Sequence, residues 1–333
     1  MKPYTELPQH PEGSTEWLQQ RNEGIGSSDC SVIFGLSSYD SPYSLWLQKT
    51  GQTPLNPPVD ERTQELFTMG HALEPVIRTL TAERVGKGIS KPEAAFASVN
   101  RPWQRYNADG MTEDGVLFEA KNVSWFKRGE WEGQISDHAE LQVHHGAAVT
   151  GATHAIVAAL IGGNELKVST IEINQKIVEI INEQEAEFWG WVESRTEPPL
   201  DAHLKTLEAV TQQWKHADGV VEVETVEAEP WLRQYAEAKR AEEEAVRLQN
   251  EAKAHLAAMM DGHDRLVDGR RVLASARRTR MSEKRLREAE PELFAEFCVE
   301  RQVFDSAAFK AAHPDKYAAY QGISIIPGKY DTL

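Results

Sequence analysis

Cysteine is scarce in this chain, and long apolar runs are missing. The 333 residues include two cysteines, Cys30 and Cys298, which lie far apart in the sequence. Two cysteines cannot build a disulfide framework or a four-cysteine zinc or iron–sulfur site, and they suit a reducing compartment. The residues up to Trp17 contain no apolar core segment, so we expect no signal peptide. The most apolar stretch, 146–163, is too short and too polar to span a bilayer, so we expect a cytoplasmic protein without membrane contact.

Positive charge is also in deficit. Lys and Arg number 36 against 52 Asp and Glu, which gives a net charge of −16. This balance limits non-specific binding to nucleic acid, but it leaves room for a local cationic groove. The segment 270–287 has the opposite sign, with eight basic residues and one acid, Glu283. It either binds a phosphate backbone or forms a solvated basic face.

The hydrophobic pattern up to residue 200 predicts an α/β fold in which one mixed sheet is flanked by helices. The predicted elements, in chain order, are a helix at 67–84, strands at 95–99, 106–111 and 115–122, a helix at 134–150, strands at 155–161 and 166–173, and a helix from Asn174 to about Arg195. The proline-rich segment 197–201 then predicts a domain boundary. We therefore expect one domain over 1–200 and a second over 201–333.

The second domain reads as mostly helical. A long helix is predicted over 230–260, and its weak heptad seam favours packing within its own domain over a coiled coil. The segment 282–320 holds two copies of a motif in which a short helix precedes a second helix that starts at a proline. Two copies are too few for a solenoid, so this pattern predicts a pair of small helical hairpins.

One acidic motif is placed where it can carry chemistry. The pattern Glu-x-Lys occurs four times, and residues two apart share a face on a strand but not on a helix. Only Glu119-Ala120-Lys121 follows a strand that bears an acid, Asp109. A hairpin would bring these side chains together. The alternative is a solvated hairpin with an ordinary ion pair.

This set suits a hard divalent cation. Two carboxylates, from Asp109 and Glu119, and the backbone carbonyl of Ala120 are oxygen ligands of the kind that Mg²⁺ prefers. Such a cation would polarise a phosphodiester and lower the pKa of a bound water. Lys121 could then orient or deprotonate that water, or stabilise the developing charge.

Four ordered blocks over residues 15–200 resemble the phage-type alkaline exonucleases, the lambda exonuclease and YqaJ viral recombinase group of the PD-(D/E)xK nucleases. The blocks are Trp17–Arg21 with Ile25–Asp29, Met69–Pro75, Ala108–Gly110 with Glu119–Lys121, and Leu141–His145 leading to Gly151. The segment Pro198–Asp201 also resembles this group. The resemblance implies a PD-(D/E)xK, restriction-endonuclease-like core.

The resemblance also implies roles for individual residues. Asp109 and Glu119 would be metal ligands, and Lys121 would be catalytic. Glu74 matches a helical acid that completes the metal site, although a surface acid on a helix is its alternative. Gln142 matches the glutamine of the active-site helix. The expected metal is Mg²⁺, with Mn²⁺ as the alternative.

Two further residues match the group's pocket for the 5′-phosphate of a DNA end, Arg21 and Ser28. An arginine fork beside a hydroxyl suits a phosphate, while a simple pair between Arg21 and Asp29 is the alternative. The sequence departs from the group at two positions: Ala108 replaces the usual proline, and His144 replaces the second glutamine of its block. Because neighbours on a helix diverge, a metal clamp from His144 and His145 is disfavoured.

Aromatic and basic residues follow the predicted catalytic strand. Trp125, Lys127 and Arg128 could contact an unstacked DNA end, while a role for the tryptophans in the core is an equal alternative.

The resemblance implies a metal-dependent DNA exonuclease that digests the 5′ strand of a duplex end and leaves a 3′ single strand for recombination. It further implies a single-strand annealing protein as partner and a homo-oligomeric ring. The alternatives are a PD-(D/E)xK endonuclease and a non-catalytic protein that binds DNA ends or a partner. A Cas4-like nuclease is disfavoured because its cluster needs four cysteines.

Overall fold

The chain folds into two compact units, which comprise residues Met1–Lys215 and His216–Leu333. The computed structural model describes residues 2–11, 13–54, 59–214, 219–278, 280–298, 304–320, 325 and 327. The division falls later than the boundary predicted at residue 200. The reason is that a helix over Leu204–Gln212 packs on the first unit, where Ala209 joins a core cluster with Tyr43 and Phe188.

The strands of the first unit form two sheets. They are β1 (Tyr4–Leu7), β2 (Ile89–Ser90), β3 (Ala95–Ser98), β4 (Arg105–Tyr106), β5 (Gly110–Thr112), β6 (Leu117–Val123), β7 (His154–Ile161) and β8 (Glu165–Glu172). The larger sheet has the order β2-β5-β6-β7-β8, with β6 and β7 parallel and the other pairs antiparallel. The mixed sheet of the predicted fold class is confirmed.

The single sheet predicted from the sequence is wrong in one respect, because a smaller antiparallel sheet of order β1-β3-β4 stands beside the larger one. The strand predicted over 106–111 is divided between the two sheets. Tyr106 pairs with Phe96 of β3, whereas Gly110 pairs with Phe118 of β6. The pairing of β1 with β3 joins residues far apart in the chain, and no local pattern signals it.

Seven helices of the described residues surround these sheets. They are α1 (Thr15–Asn22), α2 (Ser27–Ile33), α3 (Pro42–Lys49), α4 (Glu61–Val85), α5 (Asp137–Thr150), α6 (Gln175–Ser194) and α7 (Leu204–Gln212). A 3₁₀-helix covers Trp125–Trp131. Helix α4 starts earlier than predicted because the side chain of Asp60 accepts the backbone N–H of Thr63 and caps the first turn.

Alternation along β7 explains why helices cover both faces of the larger sheet. Its odd-numbered residues from Ala155 to Ile161 pack in one core cluster with Val143 of α5. Its even-numbered residues from Ile156 to Leu160 pack in another cluster with Ile77 of α4. Successive side chains of a strand point to opposite faces, so a strand that is apolar throughout is buried on both.

The second unit is mostly helical and largely exposed. Its elements are α8 (Thr225–Met260), β9 (Arg265–Asp268), β10 (Arg271–Ser275), α9 (Glu283–Ala289), α10 (Pro291–Glu296), α11 (Ser306–Ala312) and α12 (Pro314–Ala319). Helix α8 begins before Pro230 rather than at it. The four short helices lie at the positions of the two predicted hairpins.

Every helix of the described residues is too short or too polar to cross a lipid bilayer.

Candidate active site

The antiparallel pair β5–β6 positions the acidic motif. Asp109 directly precedes β5, and Glu119, Ala120 and Lys121 lie on β6. The register places Gly110 opposite Phe118, so Asp109 meets the middle of β6. The N–H of Ala120 donates to Asp109 Oδ2 at 2.9 Å. This bond holds the first carboxylate against the strand that bears the second.

Lys121 lies between a carboxylate and an amide. Its Nζ is 2.5 Å from Glu119 Oε1, and it also donates to Gln142 Oε1 on α5. Both Glu119 and Gln142 are buried. Glu119 and Lys121 share one face of β6 because they are two residues apart on a strand. The helix that crosses from β6 to β7 thus supplies the amide that orients the lysine.

Helix α4 adds a third carboxylate, that of Glu74. Its Oε1 accepts from Arg78 Nη1 at 3.2 Å and from Lys91 Nζ at 3.0 Å. Arg78 Nη1 also donates to the backbone carbonyl of Asp109 at 2.7 Å. Arg78 therefore links Glu74 to the backbone of Asp109, directly before β5.

Burial, with the neighbouring carboxylates, favours the protonated form of Asp109. Burial raises the pKa of Asp109 to about 8, and the nearby charges of Glu119 and Glu74 add to the rise, while Lys121 opposes it. A carboxyl with such a pKa keeps its proton at neutral pH unless a cation joins it. A divalent cation would therefore compete with a proton for Asp109.

These groups line one open cleft of about 720 Å³. Ser28 and Trp17 line it as well, beside Glu74, Asp109, Glu119, Ala120, Lys121 and Gln142. Three carboxylates that converge from two strands and a helix form a hard oxygen donor set. The raised pKa of Asp109 and this donor chemistry fit a divalent cation such as Mg²⁺.

The two residues of the predicted phosphate pocket contact each other at the rim of the cleft. Arg21 Nη2 donates to Ser28 Oγ at 3.1 Å and lies 3.4 Å from Asp29 Oδ1. Asp29 has a closer partner, because the buried Lys49 Nζ lies 2.7 Å from its Oδ2. The pair between Arg21 and Asp29 that was the alternative to a phosphate pocket is thus present, and Lys49 is the closer cation to Asp29.

The aromatic and basic residues after β6 lie outside the lining of the cleft. Trp125 is half exposed, and Arg128 lies over its ring with the centroid 5.6 Å from the guanidinium carbon. Arg128 also donates to Glu165 Oε2 at 2.9 Å and binds Glu132. Lys127 is exposed, 4.0 Å from Glu130. The structure does not bring these residues together with the carboxylates.

The sequence analysis did not predict three residues that lie near the carboxylates: Arg78, Lys91 and His138. Burial and then the charge of Lys121 lower the pKa of His138 to about 4, so this histidine is neutral beside the lysine. The i, i+4 spacing of Glu74 and Arg78 on one helix face could have revealed their pair. Nothing local marks Lys91 or His138.

A separate buried cluster joins Cys30, His145 and Glu185, whose donor atoms lie within 4.8 Å of one another. His145 Nδ1 is only 2.6 Å from Glu185 Oε1, and its Nε2 is 2.8 Å from the carbonyl of Arg105. Ligands of a tetrahedral zinc at roughly 2.0–2.1 Å lie more than about 3 Å apart, so 2.6 Å indicates a shared proton. This cluster is a hydrogen-bonded ion pair of the core.

His144 also turns away from the carboxylates. Its Nδ1 donates to the carbonyl of Glu140 at 2.7 Å, and its Nε2 accepts the N–H of Asn174 at 3.1 Å. The histidine that replaces the expected glutamine at position 144 is therefore a core residue.

The fold and the cleft define a mixed α/β unit with an acidic site that contains a lysine and a glutamine. Residues 16–153 match the family of the YqaJ-like viral recombinase domain. The uncharacterised protein YqaJ of Bacillus subtilis (strain 168) is 34% identical over 179 residues, which are 53% of this chain and 55% of that protein. This chain therefore spans about half the length of its curated relative. The matched segment includes the carboxylates of the cleft, Glu74, Asp109 and Glu119, together with Lys121 and Gln142.

Solved structures with a related outline include an alkaline exonuclease, LHK-Exo, from Laribacter hongkongensis. It is 16% identical with a TM-score of 0.46 and covers 55% of this chain and 94% of its own. A second structure, LHK-Exo in complex with dAMP, has a TM-score of 0.45 at 16% identity, with the same coverage.

Proposed function

We propose that this chain is a divalent-metal-dependent DNA exonuclease that hydrolyses phosphodiester bonds from duplex ends. The proposed direction is 5′→3′, which leaves 3′ single strands for phage-type recombination. One observation carries the proposal: Glu74, Asp109 and Glu119 converge in one open cleft with Lys121 and Gln142. The match of residues 16–153 to the YqaJ-like viral recombinase domain supports the same reaction class.

Glu74, Asp109, Glu119 and the carbonyl of Ala120 would hold the cation. When bound, the cation polarises the scissile phosphodiester and makes a water acidic enough to attack at neutral pH. The protein's contribution is to keep three carboxylates close together in spite of their repulsion. Mg²⁺ is the expected ion because all the donors are hard oxygens, and Mn²⁺ shares this preference.

Lys121 is the group that acts on the reacting atoms. Its Nζ can orient or deprotonate the attacking water, or stabilise the negative charge that develops on the phosphate. Gln142 and Glu119 hold the lysine from two sides, which restricts its ammonium to the cleft. Restricted positioning of this kind lowers the entropic part of the barrier.

Arg21 and Ser28 would bind the 5′-phosphate of the DNA end. A guanidinium and a hydroxyl already 3.1 Å apart can both donate to phosphate oxygens. A terminal phosphate held there would place an end, rather than the middle of a duplex, at the rim of the cleft. Trp125, Lys127 and Arg128 remain proposed contacts to DNA beyond the cleft.

The proposed setting is the cytoplasm, where both free cysteines, Cys30 and Cys298, would stay reduced. The proposed partners are duplex DNA ends and a single-strand annealing protein, with assembly into a homo-oligomeric ring. These proposals rest on the family rather than on contacts within the chain.

The test is digestion of linear duplex DNA labelled at each end, with Mg²⁺ or with EDTA, on 5′-phosphate and 5′-hydroxyl ends. We expect metal-dependent release of mononucleotides from the 5′ strand, faster with the phosphate. Lys121→Ala should slow this release by about 10²- to 10⁴-fold, because the group that stabilises the reacting atoms is lost.

The matched control is Lys167→Ala, which alters the Glu-x-Lys pattern of β8. Lys167 Nζ donates to the carbonyl of Trp131 at 3.0 Å and does not line the cleft, so this variant should cleave like the wild type. Cutting of covalently closed circles without end degradation would favour an endonuclease instead. Binding of ends without cleavage would favour a non-catalytic protein.

A further inference from the structure

Arg78 connects two parts of the chain that the proposed metal site needs to keep together. It lies on α4, one turn after Glu74, and one nitrogen, Nη1, serves two acceptors. These are Glu74 Oε1 at 3.2 Å and the backbone carbonyl of Asp109 at 2.7 Å. A single guanidinium thus fixes the distance between the helical carboxylate and the entry to β5.

Lys91 is the second cation that binds Glu74, and its position is less restricted than that of Arg78. Lys91 Nζ binds the same oxygen, Oε1, at 3.0 Å, but its side chain is 46% exposed, against 17% for Arg78. No other contact of Lys91 reaches Asp109 or Glu119 within the described residues. An exposed lysine is screened and mobile, so it neutralises charge without fixing geometry.

Both cations also leave the other oxygen of Glu74 untouched. Arg78 and Lys91 both bind Oε1, so neither of them occupies Oε2. One oxygen is therefore anchored and the other remains available as a ligand. This is the arrangement expected of a carboxylate that is oriented by an outer hydrogen bond.

Gly110 gives the stem of Arg78 the room to reach Asp109. A Cβ at residue 110 would lie 3.1 Å from Arg78 Cδ and 2.8 Å from Ile89 Cγ2. The close approach explains why glycine follows Asp109 in this motif. It also shows that the arginine stem is packed, which limits the positions of its guanidinium.

We propose that Arg78 is a positioning residue that orients Glu74 and the Asp109 segment for the divalent cation. The proposal rests on the proposed function, since it concerns the same metal site. In the proposed role, Arg78 contacts neither the cation nor the DNA. Its effect should therefore appear in the affinity for metal and not in the rate at saturating metal.

The experiment measures Mn²⁺ binding to the full chain by calorimetry and by electron paramagnetic resonance, without DNA. Arg78→Met should raise the dissociation constant by about 10- to 100-fold, the usual loss when an outer hydrogen bond to a metal ligand is removed. In cleavage assays the Mg²⁺ concentration for half-maximal activity should rise by a similar factor. The rate at saturating Mg²⁺ should stay within about threefold of the wild type, because a high cation concentration still fills the site formed by the carboxylates.

The matched control is Arg84→Met on the same helix. Arg84 Nη1 donates to the carbonyl of Leu166 on β8 and does not line the cleft, so its loss should leave Mn²⁺ affinity unchanged. Arg78→Lys keeps the charge and the stem, but its side chain ends one bond earlier. It should give an intermediate loss, and it takes the place of Arg78→Met if that variant does not fold.

Mn²⁺ affinity equal to that of the wild type in a folded Arg78→Met or Arg78→Lys variant would overturn the inference while the nuclease proposal stands. An equal loss in Arg84→Met would also overturn it, since α4 would then act only as a scaffold. A wild-type chain that neither binds Mn²⁺ nor cleaves DNA would instead overturn the proposed function itself.

Discussion

Helix α5 contributes to two clusters of buried ionisable groups, and the two clusters differ in how they accommodate charge. In the core cluster, Glu185 accepts from His145 at 2.6 Å and from Gln104 at 2.9 Å, and the second nitrogen of His145 faces the carbonyl of Arg105. In the cleft, Lys121 lies beside Glu119 and Asp109, and Arg78 and Lys91 bind Glu74. The first cluster raises the pKa of its histidine and so favours a charged pair, whereas the second raises the pKa of Asp109 and so favours its neutral form.

Protonation shows the difference. His145 faces an acceptor at each ring nitrogen, an arrangement that favours the imidazolium because only that form donates from both nitrogens. Burial lowers its pKa, but the carboxylate of Glu185 and the carbonyl of Arg105 outweigh that effect and raise it. In the cleft, burial and then the charge of Glu119 raise the pKa of Asp109 to about 8, which opposes ionisation. A buried pair that favours its charged form therefore marks structure here, and a buried carboxyl with a raised pKa marks the candidate site.

The largest effect should come from breaking the core pair. Glu185→Gln removes the carboxylate and leaves the buried charge of His145 uncompensated, which costs about 3–5 kcal/mol when one partner of a buried pair is lost. Urea denaturation at pH 7 measures the free energy of unfolding. Glu183→Gln, the same change at an exposed position of α6, should leave it unchanged.

The pH dependence of stability provides a second readout of the same variant. Because the folded pKa of His145 is raised, its contribution is fully present below about pH 6.5 and is lost as the pH rises through the folded pKa. Wild-type stability should therefore decline on the alkaline side, and this decline should shrink in Glu185→Gln. Identical slopes in both proteins would show that the pair does not titrate.

A smaller effect should appear at the cleft, where a proton competes with the cation. With the pKa of Asp109 at about 8, its ionised form dominates only above that pH. Mn²⁺ affinity should fall by up to about tenfold for each pH unit below 8 and level off above it. Calorimetry between pH 6.5 and 9.5 measures this. Asp109→Asn should bind weakly without this pH dependence, and a flat wild-type profile would contradict the comparison.

The smallest effect should come from His144, which is next to His145 but bonds to backbone groups. His144→Gln restores the amide expected from the family and alters bonds only to Glu140 and Asn174. We expect a loss of about 1 kcal/mol in unfolding free energy, the usual worth of one hydrogen bond, and unchanged Mn²⁺ affinity. A loss of metal affinity would place His144 with the cleft instead of the core.

Local spacing accounts for the part of the site that could be predicted. Asp109, Glu119 and Lys121 lie on one hairpin, and the two-residue period of a strand puts Glu119 and Lys121 on one face. Glu74 and Gln142 came from ordered blocks shared with a family. Arg78 and Lys91 could not be predicted because their role depends on the tertiary contact between α4 and the residues directly before β5. The smaller sheet was missed for the same reason, since β1 pairs with a strand some 90 residues later.

By itself, the sequence determined which groups can carry the chemistry, because alternation and turn residues act over a few positions. The tertiary structure decided which charges are paired. Glu185 accepts from His145 and Gln104, while Asp109 is buried beside Glu119 and Glu74, with Lys121 only partly offsetting their effect on its pKa. Desolvation and Coulomb energies depend on distances between segments far apart in the chain, so composition and spacing cannot supply them.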